Sequence, residues 1–245
     1  MNIAVIFAGG VGSRMNAKTK PKQFLEIHGK PIIVHTIEHF EEHREIDAVV
    51  VACVRDWIGY LEELVKKYNL SKVKKIVPGG ENSQMSIYNA LLAAAGLAGS
   101  EKSIVLIHDG VRPFVTEKLI SDNIASVKKN GSAITSVPVK ETVLVVSGKE
   151  GENQIRDIPD RSKTRLARAP QSFWLDEILE AHRKAQKDGR TDFIDSCSLM
   201  TFYGKKLFLV DGPLENIKIT TPDDFYTMRA FLDAKENAQI YGYEE

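Results

Sequence analysis

The sequence predicts an α/β fold built on a mostly parallel sheet, and three observations carry that prediction. Strand-like runs, IAVIF, DAVVVACV, KKIV, SIVLIHD and SAITSVPV, alternate with helical patterns along the chain, the arrangement in which helices cover both faces of a parallel sheet. A glycine-rich loop, AGGVGSRM, follows the first of these runs. At 245 residues the chain can bury a sizeable core, and it suits one domain over residues 1–245 better than two small ones.

IAVIF reads as the first strand and not as a secretion signal, because it is short, has no basic flank and runs straight into the glycine loop. Pro31 is expected to open the first long helix at its first position, with Ile33, Ile37 and Phe40 on one face. Asp56 is expected to cap the next helix, whose apolar stripe is Trp57, Leu61, Leu64 and Tyr68. Thr116 is expected to cap a third, in which Ile120, Ile124 and Val127 recur at helical spacing. Between Val139 and Arg161 the alternation breaks: ETVLVVSGKEGENQIRDIPDR reads as two short strands around a polar turn. Such an arm, at about 139–161, has too little apolar surface to fold alone and is expected to project and pack on a partner. RLARAPQSF follows, then amphipathic helical segments and the strand KLFLV. Thr221-Pro222-Asp223-Asp224 opens a final helix with a cap, a proline and two acids at the positive end of the dipole.

Composition removes several functions. With 33 basic and 33 acidic residues the formal net charge is +0, which leaves no bulk attraction to nucleic acid or to an anionic membrane. No apolar run approaches the roughly 20 residues of a membrane span, and the expected location is the cytoplasm. Cys53 and Cys197 lack metal-ligand spacing and read as small hydrophobes. His28, His35, His39, His43, His108 and His182 show no metal-binding pattern, and His35 and His39 are expected on the surface.

Function is legible first at the N-terminus. From Met1 to Leu25 there is no acidic residue, while Arg14, Lys18, Lys20 and Lys22 follow Gly9, Gly10 and Gly12. Glycines let the backbone approach a ligand and turn its N–H groups inward, and undiluted cations then favour a phosphate-rich one. A dinucleotide loop would need a third glycine where this chain has Met15, and a P-loop would end in Gly-Lys-Ser/Thr, which is absent. The plain alternative, a strand-to-helix turn with solvated lysines, explains the glycines but not the cations. HDGVRP, at the end of SIVLI, places Asp109 and Arg112 where open α/β sheets bind ligands. PGGENSQMS offers further glycines, with Gln84 and Ser86 able to read a base edge, although a glycine pair before a helix is also an ordinary turn. Arg161 and Lys218 flank predicted elements and would not stand out locally.

Together AGGVGSRM, PKQF, GGENSQMS, HDGVRP, DRSKTRLARAPQ and NIKITTPDD occur in the order and spacing of the CTP-dependent cytidylyltransferases of sugar-alcohol phosphates, which the chain resembles from Ile3 to about Phe231. The resemblance implies a Rossmann-like sheet with a projecting hairpin arm. It implies that Arg14, Lys22 and Lys218 are catalytic, the first two holding the triphosphate. Ala8, Gly9, Gly10, Gly12, Gly80, Ser86 and Asp109 would bind CTP, and Arg112, Thr142 and Arg161 the acceptor. It further implies Mg²⁺ or another divalent cation with the triphosphate, Asp109 being a candidate ligand. A homodimer in which the arm is exchanged is also implied, with no nucleic-acid or membrane partner. Pro31–Phe40 and Asp56–Leu70 look more like the ribitol-phosphate branch than the methylerythritol-phosphate branch, so D-ribitol 5-phosphate is the expected acceptor. Where both branches usually carry an arginine after the GGxx loop, this chain has Ser83; a nucleotide-binding protein without turnover is the rival reading, against which stand Lys22 and Lys218.

Overall fold

The computed structural model describes residues 1–10, 20–148 and 154–241. Its strands are β1 (Asn2–Ala8), β2 (Glu26–Ile27), β3 (Lys30–Pro31), β4 (Ala48–Cys53), β5 (Val73–Pro78), β6 (Ile104–Asp109), β7 (Ser132–Pro138), β8 (Val145–Val146), β9 (Ile155–Asp157), β10 (Arg165–Trp174) and β11 (Leu209–Asp211). Its helices are α1 (Ile32–Glu42), α2 (Ile58–Lys67), α3 (Ser83–Ala98), α4 (Glu117–Asn130), α5 (Leu175–Lys187), α6 (Ser196–Phe202) and α7 (Pro222–Tyr241). Seven strands form one sheet in the order β11-β7-β10-β6-β1-β4-β5. All neighbours run parallel except β10, which is antiparallel to both β6 and β7.

Side-chain alternation along β1 divides the core between the two faces. Ala4, Ile6 and Ala8 point to the layer that contains Ile33, Ile37 and Phe40 of α1, Leu61 and Leu64 of α2, and Ile120 and Ile124 of α4. Ile3 and Val5 point to the opposite layer, with Ile87 and Leu91 of α3, Ile178 of α5 and Leu199 of α6. α7 closes a smaller third cluster through Met228, against Ile27, Ile32, Val111, Phe114 and Ile219.

The expected strands and helices all form, with local differences that have physical causes. Pro31 ends β3 and stands just before α1 instead of inside it. Asp56 lies within a 3₁₀ turn, Arg55–Trp57, which leaves Trp57 at the start of α2. Thr116 does cap α4, its hydroxyl accepting from the Leu119 N–H at 3.2 Å. At α7 the Asp224 carboxylate accepts from the N–H groups of Thr220 and Thr221 at 2.8 and 2.7 Å. His35 and His39 are half-buried, not on the surface, because each ring bonds a carbonyl, Ile27 O at 3.2 Å and Pro113 O at 2.8 Å, tying α1 to β2 and to the loop after β6. The largest addition is β10, formed by RLARAPQSF and its flanks. Ala-Arg-Ala-Pro shows no alternation and contains a proline, both of which argue against a central strand. The pairing with β7 shifts between Ala167 and Gln171, which takes Pro170 out of the ladder. No helix among the described residues is long and apolar enough to cross a membrane.

Candidate active site

Parallel register delivers the first acidic group to the glycine loop. Phe7 of β1 pairs with Asp109 of β6, so the loops that leave these two strands begin side by side. The chain continues from β1 to β4 on one side and later adds β6 on the other. That reversal opens a crevice at the carboxyl ends of the strands, where α/β sheets bind ligands.

A cavity of about 340 Å³ fills this crevice. Ala8, Gly9, Gly10, Lys22, Gly80, Ser86, Asp109 and Lys218, all singled out in the sequence, line it. Gly12 and Arg14 lie outside the described residues. The two glycine loops meet so closely that a Cβ on Gly79 would stand 2.9 Å from the Gly9 Cα, and one on Gly80 2.3 Å from the Met85 Cβ. Backbone and the Ser86 side chain therefore form this wall. Ser86 sets the second loop by accepting from the Gly80 N–H at 3.0 Å while donating to the Asn82 carbonyl at 2.8 Å. Asn82 caps α3 through the Met85 N–H. Gln84 is not available to a base: it is buried, donates to Arg190 O at 2.9 Å and accepts from the Phe193 N–H at 3.1 Å.

Lys22 owes its place to a 3₁₀ turn, Lys22–Phe24. Phe24 is fully buried and stacks on Trp57, ring centroids 5.0 Å apart, and Gln23 donates to Ala8 O at 2.7 Å and Gly10 O at 3.3 Å. Neither anchor was legible in the sequence, since a Gln and a Phe in a basic loop carry no special pattern. Between them they hold the Lys22 ammonium at the cavity wall, 3.0 Å from Ile219 O.

Asp109 organises the opposite side. Its carboxylate takes the Arg112 Nε at 2.7 Å on one oxygen and the Lys218 Nζ at 2.6 Å on the other. Burial opposes its charge, yet the two cations outweigh burial and hold the carboxyl down at about 2. Arg112 also donates to Asn216 O at 3.0 Å, and Asn216 to Ala169 O at 2.6 Å, so the segment carrying Lys218 is clamped to both β10 and the Asp109 turn. Behind it His108 gives its Nε2 proton to Arg112 O at 3.0 Å, and burial keeps the ring neutral by pushing its pKa down to about 4.

A second cavity of about 220 Å³ adjoins the first, sharing Phe7, Ser83, Asp109 and Lys218 with it. Arg112 lines this chamber together with Arg168, Gln171, Asp195 and Ser196. Ser83, where an arginine was expected, opens α3 at the lip between the chambers. Thr142 and Arg161 line neither chamber. Both are exposed at the base of the arm, where Arg161 donates to Lys140 O at 3.1 Å and borders a separate recess with Asp160 and Thr164.

Such an arrangement can hold two phosphate-bearing ligands end to end with cations at their junction, and with its sheet it defines an α/β protein of the nucleotidyltransferase class. Residues 2–234 match the model of the family described as IspD: 2-C-methyl-D-erythritol 4-phosphate cytidylyltransferase. The chain belongs to that family. It is 57% identical over 242 residues to a protein of Streptococcus agalactiae serotype III (strain NEM316) named ribitol-5-phosphate cytidylyltransferase, covering 99% of this chain and 100% of the relative. A 2-C-methyl-D-erythritol 4-phosphate cytidylyltransferase of Clostridium acetobutylicum is 41% identical, over 95% of this chain and 97% of its own. Among solved structures, 4-diphosphocytidyl-2C-methyl-D-erythritol synthase from Anaerococcus prevotii DSM 20548 superposes with a TM-score of 0.79 at 27% identity, covering 95% of this chain and 96% of that one.

Proposed function

We propose that the protein transfers CMP from CTP to D-ribitol 5-phosphate in the cytoplasm, giving CDP-ribitol and pyrophosphate. The observation that carries this reading is the pair of adjoining chambers that share Asp109 and Lys218 at their junction. CTP occupies the first, and the acceptor phosphate reaches the α-phosphorus across the shared lip. The identity of 57% to a protein named ribitol-5-phosphate cytidylyltransferase, against 41% to one named for methylerythritol phosphate, supports the choice of acceptor.

The acceptor phosphate is an anion at neutral pH, so it needs neither a general base nor a covalent intermediate. It attacks the α-phosphorus in line, and pyrophosphate leaves. What limits the reaction is the repulsion of two anions, and the catalytic groups are accordingly cations. Arg14 and Lys22 hold the triphosphate and take up charge that develops on the α-phosphate. Lys218 and Arg112 receive the acceptor phosphate, with Asp109, ionised at any physiological pH, fixing the position of both. A divalent cation, when bound, neutralises the triphosphate. Asp109 and Glu81 are the carboxylates lining the first chamber among the described residues, and both Asp109 oxygens already face cations. The donor set would fit a Mg²⁺ held mainly by phosphate oxygens and water, with Asp109 the residue that would hold it and the ion supplying charge neutralisation of the triphosphate.

Thr142 and Arg161 take part from a neighbouring copy. The arm that carries them exposes Leu144, Val146, Ile155 and Ile158, each at least half accessible, an apolar surface suited to a second arm of the same kind. The reading as a whole is tested by incubating the protein with CTP, Mg²⁺ and a panel of polyol phosphates and measuring pyrophosphate. A higher kcat/KM for D-ribitol 5-phosphate than for 2-C-methyl-D-erythritol 4-phosphate is expected. The reverse order reassigns the acceptor, and no pyrophosphate with any acceptor removes the transferase reading.

A further inference from the structure

Lys218 stands on a segment, residues 212–220, that forms neither helix nor strand, yet its Nζ is kept 2.6 Å from Asp109. A cation that is to stabilise a transition state has to be in place beforehand, so the segment needs anchors. Downstream, the Ile219 N–H donates to Val111 O at 3.0 Å, and Asp224 holds the N–H groups of Thr220 and Thr221. Upstream, the anchor is Asn216, which is 0% exposed. Its Nδ2 donates to Ala169 O of β10 at 2.6 Å, and its main-chain carbonyl accepts from Arg112 at 3.0 Å.

The part of β10 that Asn216 grips is irregular and is itself braced from within the core. Pairing with β7 passes from Ala167 opposite Ser136 to Gln171 opposite Ile134, so Arg168, Ala169 and Pro170 stand against the single residue Thr135. Such a bulge takes backbone groups out of the ladder, and side chains meet two of the freed carbonyls. Asn216 takes Ala169 O, and the Thr135 hydroxyl donates to Pro170 O at 2.7 Å. Thr135 accepts in turn from Asn123 Nδ2 of α4 at 3.1 Å, and Asn123 Oδ1 accepts from the Ser172 hydroxyl at 2.9 Å. Thr135, Asn123 and Ser172 are all fully buried. A buried network whose members bond one another rigidifies what it holds, and a shift of the bulge would leave a buried carbonyl unpaired. Resting on the role assigned above to Lys218, we propose that Asn216, braced by Thr135 through the β10 bulge, is the positioning residue that holds Lys218 ready for the reaction.

The experiment measures pyrophosphate release from CTP with D-ribitol 5-phosphate at saturating Mg²⁺. It compares wild type, Asn216→Ala, Lys218→Ala, their combination, Thr135→Val and Thr135→Ser, with urea unfolding to check that each is folded under assay conditions. Misplacement of a reacting group by a fraction of an ångström to an ångström is costly, so Asn216→Ala should lower kcat/KM for D-ribitol 5-phosphate by about 10- to 100-fold. KM for CTP should stay within about twofold, because the first chamber keeps its loops. Thr135→Val, which keeps the shape and loses the hydroxyl, should cost about 3- to 10-fold, and Thr135→Ser should restore the rate. Since Asn216 acts through Lys218, adding Asn216→Ala to Lys218→Ala should cost less than about a further twofold. An unchanged kcat/KM in folded Asn216→Ala, a full additional loss in the double variant, or a Thr135→Ser as slow as Thr135→Val would overturn the proposal while wild-type turnover keeps the transferase reading. If Asn216→Ala does not fold, the same cycle is run with Thr135→Val and Lys218→Ala and read in the same way. Near-normal turnover of Lys218→Ala removes the role on which the proposal rests, and absence of turnover in the wild type overturns the transferase reading as well.

Discussion

Lys22, for which we propose a catalytic role, shows how neighbours hold a cation in place at the cavity wall. Phe24, stacked on Trp57, and Gln23, bonded to the glycine loop, fix the turn on which it stands, and its ammonium reaches Ile219 O across the cavity rim. A charge held in place before the reaction stabilises a transition state without reorganisation. Lys22→Ala should therefore lower kcat by about two to three orders of magnitude, read in a steady-state pyrophosphate assay, whereas near-normal turnover would remove Lys22 from the mechanism. A different residue-scale effect comes from His182, whose ring stacks on Tyr88 at 5.7 Å and has no hydrogen-bond partner on either nitrogen among the described residues. Burial pushes its pKa from the ordinary 6.5 down to about 4. The unfolded chain binds a proton below 6.5 that the folded chain refuses until about 4, so the contribution is complete above 6.5 and is lost as pH falls through that window. The slope is about 1.4 kcal/mol per pH unit for one histidine. His182→Phe should flatten the pH dependence of stability by that amount between these limits, measured by urea unfolding. An unchanged slope would show that the ring is already protonated in the folded protein.

Among the elements, the arm and β10 show the two ways in which sequence and structure relate. Polarity around Gly148 and short apolar runs on either side made the hairpin legible, and β8 pairs with β9 antiparallel as that pattern requires. Its exposed Leu144, Val146 and Ile155 form the apolar surface on which the proposed pairing with a second copy rests. Deleting Ser147–Gln154 should leave the seven-stranded sheet folded, since neither β8 nor β9 belongs to it, but should weaken association and reduce activity where Arg161 acts across the interface. Sedimentation and a rate assay check this together: a deleted form with unchanged mass and unchanged rate would rule out the arm as the dimer contact. β10 was illegible for the opposite reason. Its two neighbours on the sheet supply the pairing that its own Ala-Arg-Ala-Pro segment does not advertise, and with it the wall of the second chamber stayed hidden, Arg168 included. Motif order made most of the first chamber visible, because glycines and lysines keep their chemistry wherever the chain folds. Gln23 and Gln84 could not be sorted beforehand, since only tertiary packing decides that one braces the Lys22 loop and the other ties α3 to the Arg190–Phe193 segment.

At the scale of the whole molecule, the topology shapes the slot in which we propose the base of CTP sits. The order β1-β4-β5 on one side of the crevice lets the glycine loops that follow β1 and β5 meet over the end of β4, where a Cβ on Gly79 would stand 2.9 Å from the Gly9 Cα. The Ser86 hydroxyl packs against both glycines there, and a Cβ on Gly79 or Gly80 would collide with the Gly9 loop or with Met85. A base seated beside Ala8, Gly9 and Gly80 thus meets rigid main chain, whose N–H and C=O groups cannot rotate to suit a different hydrogen-bonding edge. Cytosine, a single ring with adjacent amino and carbonyl groups, matches such a slot. A purine is wider and meets backbone that α3 and β1 hold in place, and uracil presents a carbonyl where the amino group is needed, leaving buried polar groups unpaired. Mismatches of that kind cost about 10²-fold or more when the site is built from hydrogen-bonding groups. With acceptor and Mg²⁺ saturating, kcat/KM for CTP should exceed that for UTP by at least about two orders of magnitude, and ATP and GTP should be poorer still. Gly80→Ala should reduce CTP use with little change in acceptor KM, because its Cβ would press on Met85 at the start of α3 and displace the loop. Comparable kcat/KM values for CTP and ATP would mean that the base lies elsewhere in the 340 Å³ chamber, and that the contact of the two glycine loops serves the packing of the sheet alone.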